Sequence, residues 1–87
     1  MLEEFLGQVV VIDLRSSFVC LGTLKAADDH FLDIHNADLH DLRDTQTTRE
    51  NYVAASSMTG IKRNRKRLIL ARPDVVAISL LDDVVDE

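Results

Sequence analysis

Val9-Val10-Val11-Ile12-Asp13-Leu14, a polar break at Arg15-Ser16-Ser17, then Phe18-Val19-Cys20-Leu21-Gly22-Thr23-Leu24-Lys25: this stretch decides the fold. Its first run is β-branched and too short for a free-standing helix, so it reads as a strand. Arg15-Ser16-Ser17 then makes a turn, and the second run is another strand. A glycine inside a strand has no side chain to pack, so Gly22 marks a bulge or a sharp bend. The chain turns again at Ala27-Asp28-Asp29. From His30 to Leu39 it alternates, with Leu32 and Ile34 on one face and Asp33 and His35 on the other, the period of a half-buried strand.

On the N-terminal side, Leu2, Phe5 and Leu6 share one helical face. Glu3 and Glu4 sit where the helix dipole favours acids, and Gly7 is a natural stop. On the C-terminal side, Thr45-Gln46-Thr47-Thr48 can cap a helix, with Glu50 or Asn51 near the required spacing. A short helix or ordered insert is expected over about residues 48–59, ending at Gly60. A loop between two long strands is the alternative. Lys62-Arg63-Asn64-Arg65-Lys66-Arg67 follows as a basic loop, then Leu68-Ile69-Leu70-Ala71 as a fourth strand. Pro73 cannot donate to a strand ladder and ends it. Val75-Val76-Ala77-Ile78-Ser79-Leu80 is the fifth strand, and the acidic residues 82–87 are expected to fray.

The order predicts a mostly β domain: a short N-terminal helix, then a strongly bent, five-stranded antiparallel open barrel. Residues 1–87 form a single domain, with an insert at about 42–66 between strands three and four. OB and SH3-like barrels both fit. A barrel that fails to close leaves two strand edges, which identical subunits can join into a ring.

Composition narrows the function. The 87 residues are 46% apolar and 29% charged, values of an ordinary globular domain and not of a disordered chain. Cys20 is the sole cysteine, which excludes an internal disulfide and a cysteine-rich zinc site. Apolar runs fall far short of the ~20 residues that span a bilayer. Met1-Leu2-Glu3-Glu4 lacks the basic start of a signal peptide. An intracellular chain, cytoplasmic or nuclear, with no membrane contact is therefore expected. The net charge of −5 opposes non-specific binding to nucleic acid. Yet five of the ten basic residues lie within 62–67, leaving five bases against fifteen acids elsewhere. Lys62, Arg63, Arg65, Lys66 and Arg67 are thus candidate phosphate contacts, or merely a solvated loop; without an aromatic among them they would not read bases.

Two groups of residues resemble the signature of the Sm and Sm-like (LSm) proteins. The first is Gly7-Gln8-Val9-Val10-Val11, then Gly22-Thr23-Leu24, then Asp29-His30-Phe31-Leu32-Asp33-Ile34. The family's Asp, two residues, then Met-Asn is matched by Asp29, His30, Phe31, Leu32 and Asp33. The second is Ala71-Arg72-Pro73-Asp74-Val75-Val76-Ala77-Ile78, in the place of the family's Ile-Arg-Gly turn. The resemblance spans most of the chain outside the insert. Pro73 stands where the turn glycine would be and the turn is one residue shorter; proline fixes φ near −65°, so this turn takes another shape.

The resemblance implies rings of six or seven subunits, strand four of one pairing with strand five of the next, and single-stranded, uridine-rich RNA bound at the pore. It would make Phe31 a base-stacking residue, Arg72 the cover of the base's other face, and Asp33 the replacement of a base-reading Asn. Asn offers a donor and an acceptor to uracil, whereas an ionised Asp only accepts. Asp33 therefore implies altered or lost uridine preference. Each residue also has a plain structural reading: Phe31 packed on a neighbouring strand, Arg72 paired with Asp29 or Asp74, and Asp33 buttressing the turn, with Arg72 as one partner for it. His35 and His40, being odd and even, are expected on opposite faces, and no metal cluster forms around His30. No catalytic constellation, phosphate-binding glycine loop or cofactor motif is present, so no enzyme is expected. Three functions remain: an RNA-binding ring protein, an assembly module of the same fold that joins proteins without RNA, or an unrelated small barrel that binds a protein or peptide.

Overall fold

The computed structural model describes residues 1–44 and 48–85. It has five strands: Val9–Leu14 (β1), Phe18–Ala27 (β2), Phe31–Asp41 (β3), Arg65–Ala71 (β4) and Val75–Leu80 (β5). One helix, Arg49–Thr59 (α1), lies between β3 and β4. All strand pairs are antiparallel and form a single sheet in the order β4-β3-β2-β1-β5. The mostly β architecture matches the expectation, and β1 and β5 have the residues expected of them. β4 and β5 are the two edges of the sheet.

Leu2–Phe5 forms a 3-10 turn that lays Leu2 and Phe5 on the core, and Gly7 ends the segment at φ +78°. Gly22 is where the sheet folds over. A Cβ there would lie 2.5 Å from Ile34 Cγ2 and 3.1 Å from the Cα of Ala37, so β2 and β3 approach as only glycine allows. The register slips beside it: Leu21 faces Asp38 while Thr23 faces His35, giving β3 one extra residue. That residue falls at Asn36, whose φ of +52° suits asparagine better than most side chains.

The bulge corrects one expectation. Leu32 and Ile34 point into the barrel, and so do Ala37 and Leu39, because alternation changes phase at Asn36. His35 and His40 are therefore on the same outer face, not on opposite ones. His40 stacks on Tyr52 of α1, ring centroids 4.0 Å apart.

Both faces of the sheet are buried in part. The inner cluster is centred on Val10, Ile12, Cys20, Leu24, Leu32 and Ile34. The outer cluster joins Val11, Val19 and Leu21 to Val53 of α1 and to Leu81. Each such side chain contributes about 1.5–3 kcal/mol. Cys20 lies wholly inside, and burial pushes its thiol up to about 12, consistent with a core residue and not a nucleophile.

α1 begins as the sequence suggests: the Thr48 hydroxyl accepts from the Asn51 amide, and Gly60 closes the helix at φ +93°. Thr45, Gln46 and Thr47 lie outside the described residues. Two boundaries differ from expectation. The basic run is not a loop throughout, since Arg65, Lys66 and Arg67 belong to β4. β3 runs on to Asp41, and its Ala37 and His35 pair with Arg65 and Arg67. Nor does the chain fray directly after β5. Leu81–Asp83 forms a 3-10 turn that buries Leu81 against the outer cluster. Asp86 and Glu87 are outside the described residues. Among the described residues, no helix is long and apolar enough to cross a membrane, and no group of three or more His, Cys, Asp or Glu side chains could hold a metal ion.

Candidate functional site

The turn between β2 and β3 is built by one side chain. Asp28 Oδ1 accepts from the amides of His30 and Phe31, both at 2.7 Å. These two amide bonds hold its carboxyl below the usual range. The Phe31 carbonyl accepts from the Asp28 amide, and the Arg72 amide donates to His30 O, at 3.0 and 2.9 Å. Phe31 is thus fixed in backbone at the start of β3 while the residue is 50% exposed. The His30 ring meets it edge-on at 6.4 Å.

Asp33 follows on the same face. Arg67, from the neighbouring β4, donates to it in a fork: Nε to Oδ1 at 2.9 Å and Nη2 to Oδ2 at 3.2 Å. His35 Nε2 lies 3.3 Å from the same Oδ1. The guanidinium keeps the Asp33 carboxyl ionised below its ordinary range. Phe31, Asp33, Arg67 and the half-exposed Ile69 line a shallow cavity of about 310 Å³ with Ala26, Ala27 and Asp28.

Arg72 does not join them. Its Nη1 donates to the Asp28 carbonyl at 2.5 Å, neither to Asp29 nor to Asp74, and it lines a separate cavity with Leu2, Glu3 and Leu6. Asp33 is buttressed by Arg67, not Arg72. Local spacing could not supply that partner, because the pairing follows from the β3–β4 register, which sets His35 opposite Arg67.

The remaining bases are split. Lys62 lines a small cavity beside α1, with Tyr52, Ala55 and Thr59. Arg63, Arg65 and Lys66 surround a larger one of about 580 Å³, with Asn36 and Asn64. Asn64 organises that end: its Oδ1 accepts from the Leu39 amide, and its Nδ2 donates to Leu39 O and to Asp38 Oδ1, each at 3.0 Å. Asp38 is buried and also accepts from the Tyr52 hydroxyl. Burial, then this bond, pushes the Tyr52 phenol above its ordinary value. Asn36, Asn64 and Asp38 carry no signal in the sequence beyond asparagine's tolerance of positive φ.

Four carboxyls sit below their ordinary values: Glu3 by the N-terminal ammonium, Asp28 by amide bonds, Asp33 by Arg67, and Asp41, the lowest, by Arg43 and then Ser17. A lowered carboxyl stabilises the fold above its unfolded pKa of about 3.9 and loses that contribution as pH falls through the folded value. The melting temperature should therefore decline below pH ~4, and Asp33→Asn should make that acid limb shallower. Melts across pH test this; equal acid limbs in the two proteins would contradict it.

Chemically, the site offers an exposed ring for stacking, a neutralised carboxylate–guanidinium pair beside it, and, further along the same ladder, cations without an ion-pair partner among the described residues. No protein-family model matches the chain, and no curated protein is significantly similar to it in sequence.

Proposed function

We propose that the chain is a subunit of an Sm-like ring that binds single-stranded RNA at Phe31, with altered or lost preference for uridine. One observation carries the reading: Phe31 is clamped in backbone yet half exposed, next to a charge pair that can meet a base edge. Stacking on such a ring contributes about 1–3 kcal/mol per base. Arg67 uses two of its five N–H donors on Asp33, so donors and carboxylate lone pairs lie side by side. That mixed edge differs from a bare carboxylate and from Asn, which supports a changed base preference over a simple repulsion of RNA.

The ring rests on the two edges. In antiparallel contact between copies, the basic start of β4, Arg65-Lys66-Arg67, would lie against the end of β5 and its Asp82-Asp83. Ile69 and Val76, 46% and 65% exposed, would meet along the same seam. Such complementarity favours pairing with another copy over uncontrolled edge association.

A second reading, an assembly module without RNA, is favoured by Arg72, which is bound to the Asp28 carbonyl and so withheld from a base on Phe31. Native mass and titration with oligouridylate, oligocytidylate and oligoadenylate separate the two. The expected result is a ring mass, RNA binding without a strong uridine bias, and roughly five- to 150-fold weaker binding by Phe31→Ala. A ring that binds none of the three leaves the assembly module. Strong selection of oligouridylate by the native protein overturns the altered preference, and a monomer overturns both readings.

A further inference from the structure

We infer that the depression bounded by Asn36, Arg63, Asn64, Arg65 and Lys66 is a phosphate-binding site, occupied by the backbone of a single-stranded polynucleotide. The phosphate chemistry stands on this cavity alone; the polynucleotide as its source rests on the RNA reading above.

The cavity is the larger of the two on this ladder, about 580 Å³. Its walls are held in place. The Asn64 amide donates to Ala37 O at 2.9 Å, and the three side-chain bonds of Asn64 tie the loop to β3. Arg63 Nη1 donates to Asn36 Oδ1 at 3.1 Å, and Arg65 Nη1 to Asn64 O at 2.9 Å. These bonds use one N–H of each guanidinium. The others, and the three N–H of Lys66, have no acceptor among the described residues.

Charge makes the case stronger. Arg43, Arg49 and Arg67 are each paired with an aspartate. Arg63, Arg65 and Lys66 form no ion pair with any described carboxylate, and no carboxylate lines the cavity. In a chain of net charge −5, three cations left together around one depression repel one another until an anion enters. Guanidinium forks suit the oxygens of a phosphate. With no aromatic present, the cavity would hold a backbone and not a base.

Position points to the polynucleotide. The cavity lies at the far end of the β3–β4 ladder, whose pairs run from Phe31–Ala71 to Ala37–Arg65, roughly 20 Å apart at strand rise. Ile69, the Asp33–Arg67 pair and His35 lie between. One strand of RNA could stack a base on Phe31 and run its phosphates to this end.

Two probes test the site: inorganic phosphate, titrated against chloride at equal ionic strength, and oligouridylate, titrated across salt. The proteins are the native chain and Arg63→Gln/Arg65→Gln, a pair that leaves the Asn64 side-chain bonds in place; a thermal melt checks folding. Phosphate should shift the backbone amide resonances of residues 63–66 in the native protein and not in the variant. The variant's plot of log affinity against log salt should be shallower by about 0.7 for each phosphate the variant no longer neutralises. Native amides unmoved by phosphate, with an unchanged salt slope, overturn the site even if RNA binds. Phosphate shifts without oligonucleotide binding keep the site, make free phosphate its ligand, and overturn the RNA reading instead.

Discussion

Gly22→Ala should lower the melting temperature by on the order of 10 °C. The added methyl would sit 2.5 Å from Ile34 Cγ2, with Ala37 Cα and His35 O both at 3.1 Å. Ile34 is fully buried, its Cγ2 sits next to the backbone on a branched Cβ, and the other two atoms are backbone. Relief needs a shift of β2 against β3, the longest strand pairing in the protein. Overpacking of this kind costs about 1–3 kcal/mol, and one kcal/mol moves the midpoint of a domain this size by about 4–8 °C. Gly7→Ala is the instructive comparison. Gly7 has open space around its Cα and φ of +78°, so its penalty is conformational, about 1–2 kcal/mol. In an Ile34→Ala background, which lacks Cγ2, Gly22→Ala should cost less than in the native protein, while the cost of Gly7→Ala should not change. A Gly22→Ala melt equal to that of the native protein would show that the two strands do not meet so closely.

The second large effect is expected at Asp38. Asp38→Ala removes the acceptor of both the Tyr52 hydroxyl and the Asn64 side chain. The half-buried Tyr52 hydroxyl left without its partner costs about 1–3 kcal/mol, and the exposed Asn64, which keeps its bond to Leu39 O, adds less. The loss should be local. Amide hydrogen exchange should quicken in α1 and in residues 60–64, while β1 and β2 keep their protection. Tyr52→Phe should reproduce the helix part of the effect and spare the loop. A double-mutant cycle gives the coupling directly; independent, additive losses at 38 and 52 would refute the shared carboxylate.

Particular residues explain what the sequence discloses and what it withholds. β1 and β5 are legible because Val9–Leu14 and Val75–Leu80 are short, β-branched and bounded by breakers. Gly22 and Thr48 are legible because bends and caps have local chemical requirements. β4 is half hidden. An edge strand carries charges where an inner strand carries apolar residues, so Arg65, Lys66 and Arg67 look like loop. The phase change at Asn36 is invisible, because the neighbouring strand imposes it. The same holds for the site. Phe31, Asp33 and Arg72 stand out by motif, and Phe31 and Asp33 do share a cavity. Arg67 reads in the sequence as one more phosphate contact, but its partner is Asp33, 34 residues away and brought to it by register alone. Leu81 escapes notice because its acidic neighbours mask one apolar side chain with a place to go.

The extra residue at Asn36 means that β3 is read in two frames. Before it, even-numbered residues belong to the interior and odd-numbered ones to the open surface that carries Phe31 and Asp33. After it the assignment is exchanged, and the outward residues, Asp38 and His40, address the helix instead of solvent. A single ladder can thereby serve two unrelated neighbours along its length. Were the strand to run regularly through Asn36, the result would be the structural counterpart of a frameshift, delivering a carboxylate and an imidazole into the barrel and turning Ala37 and Leu39 out of it; the bulge absorbs the extra residue and prevents this.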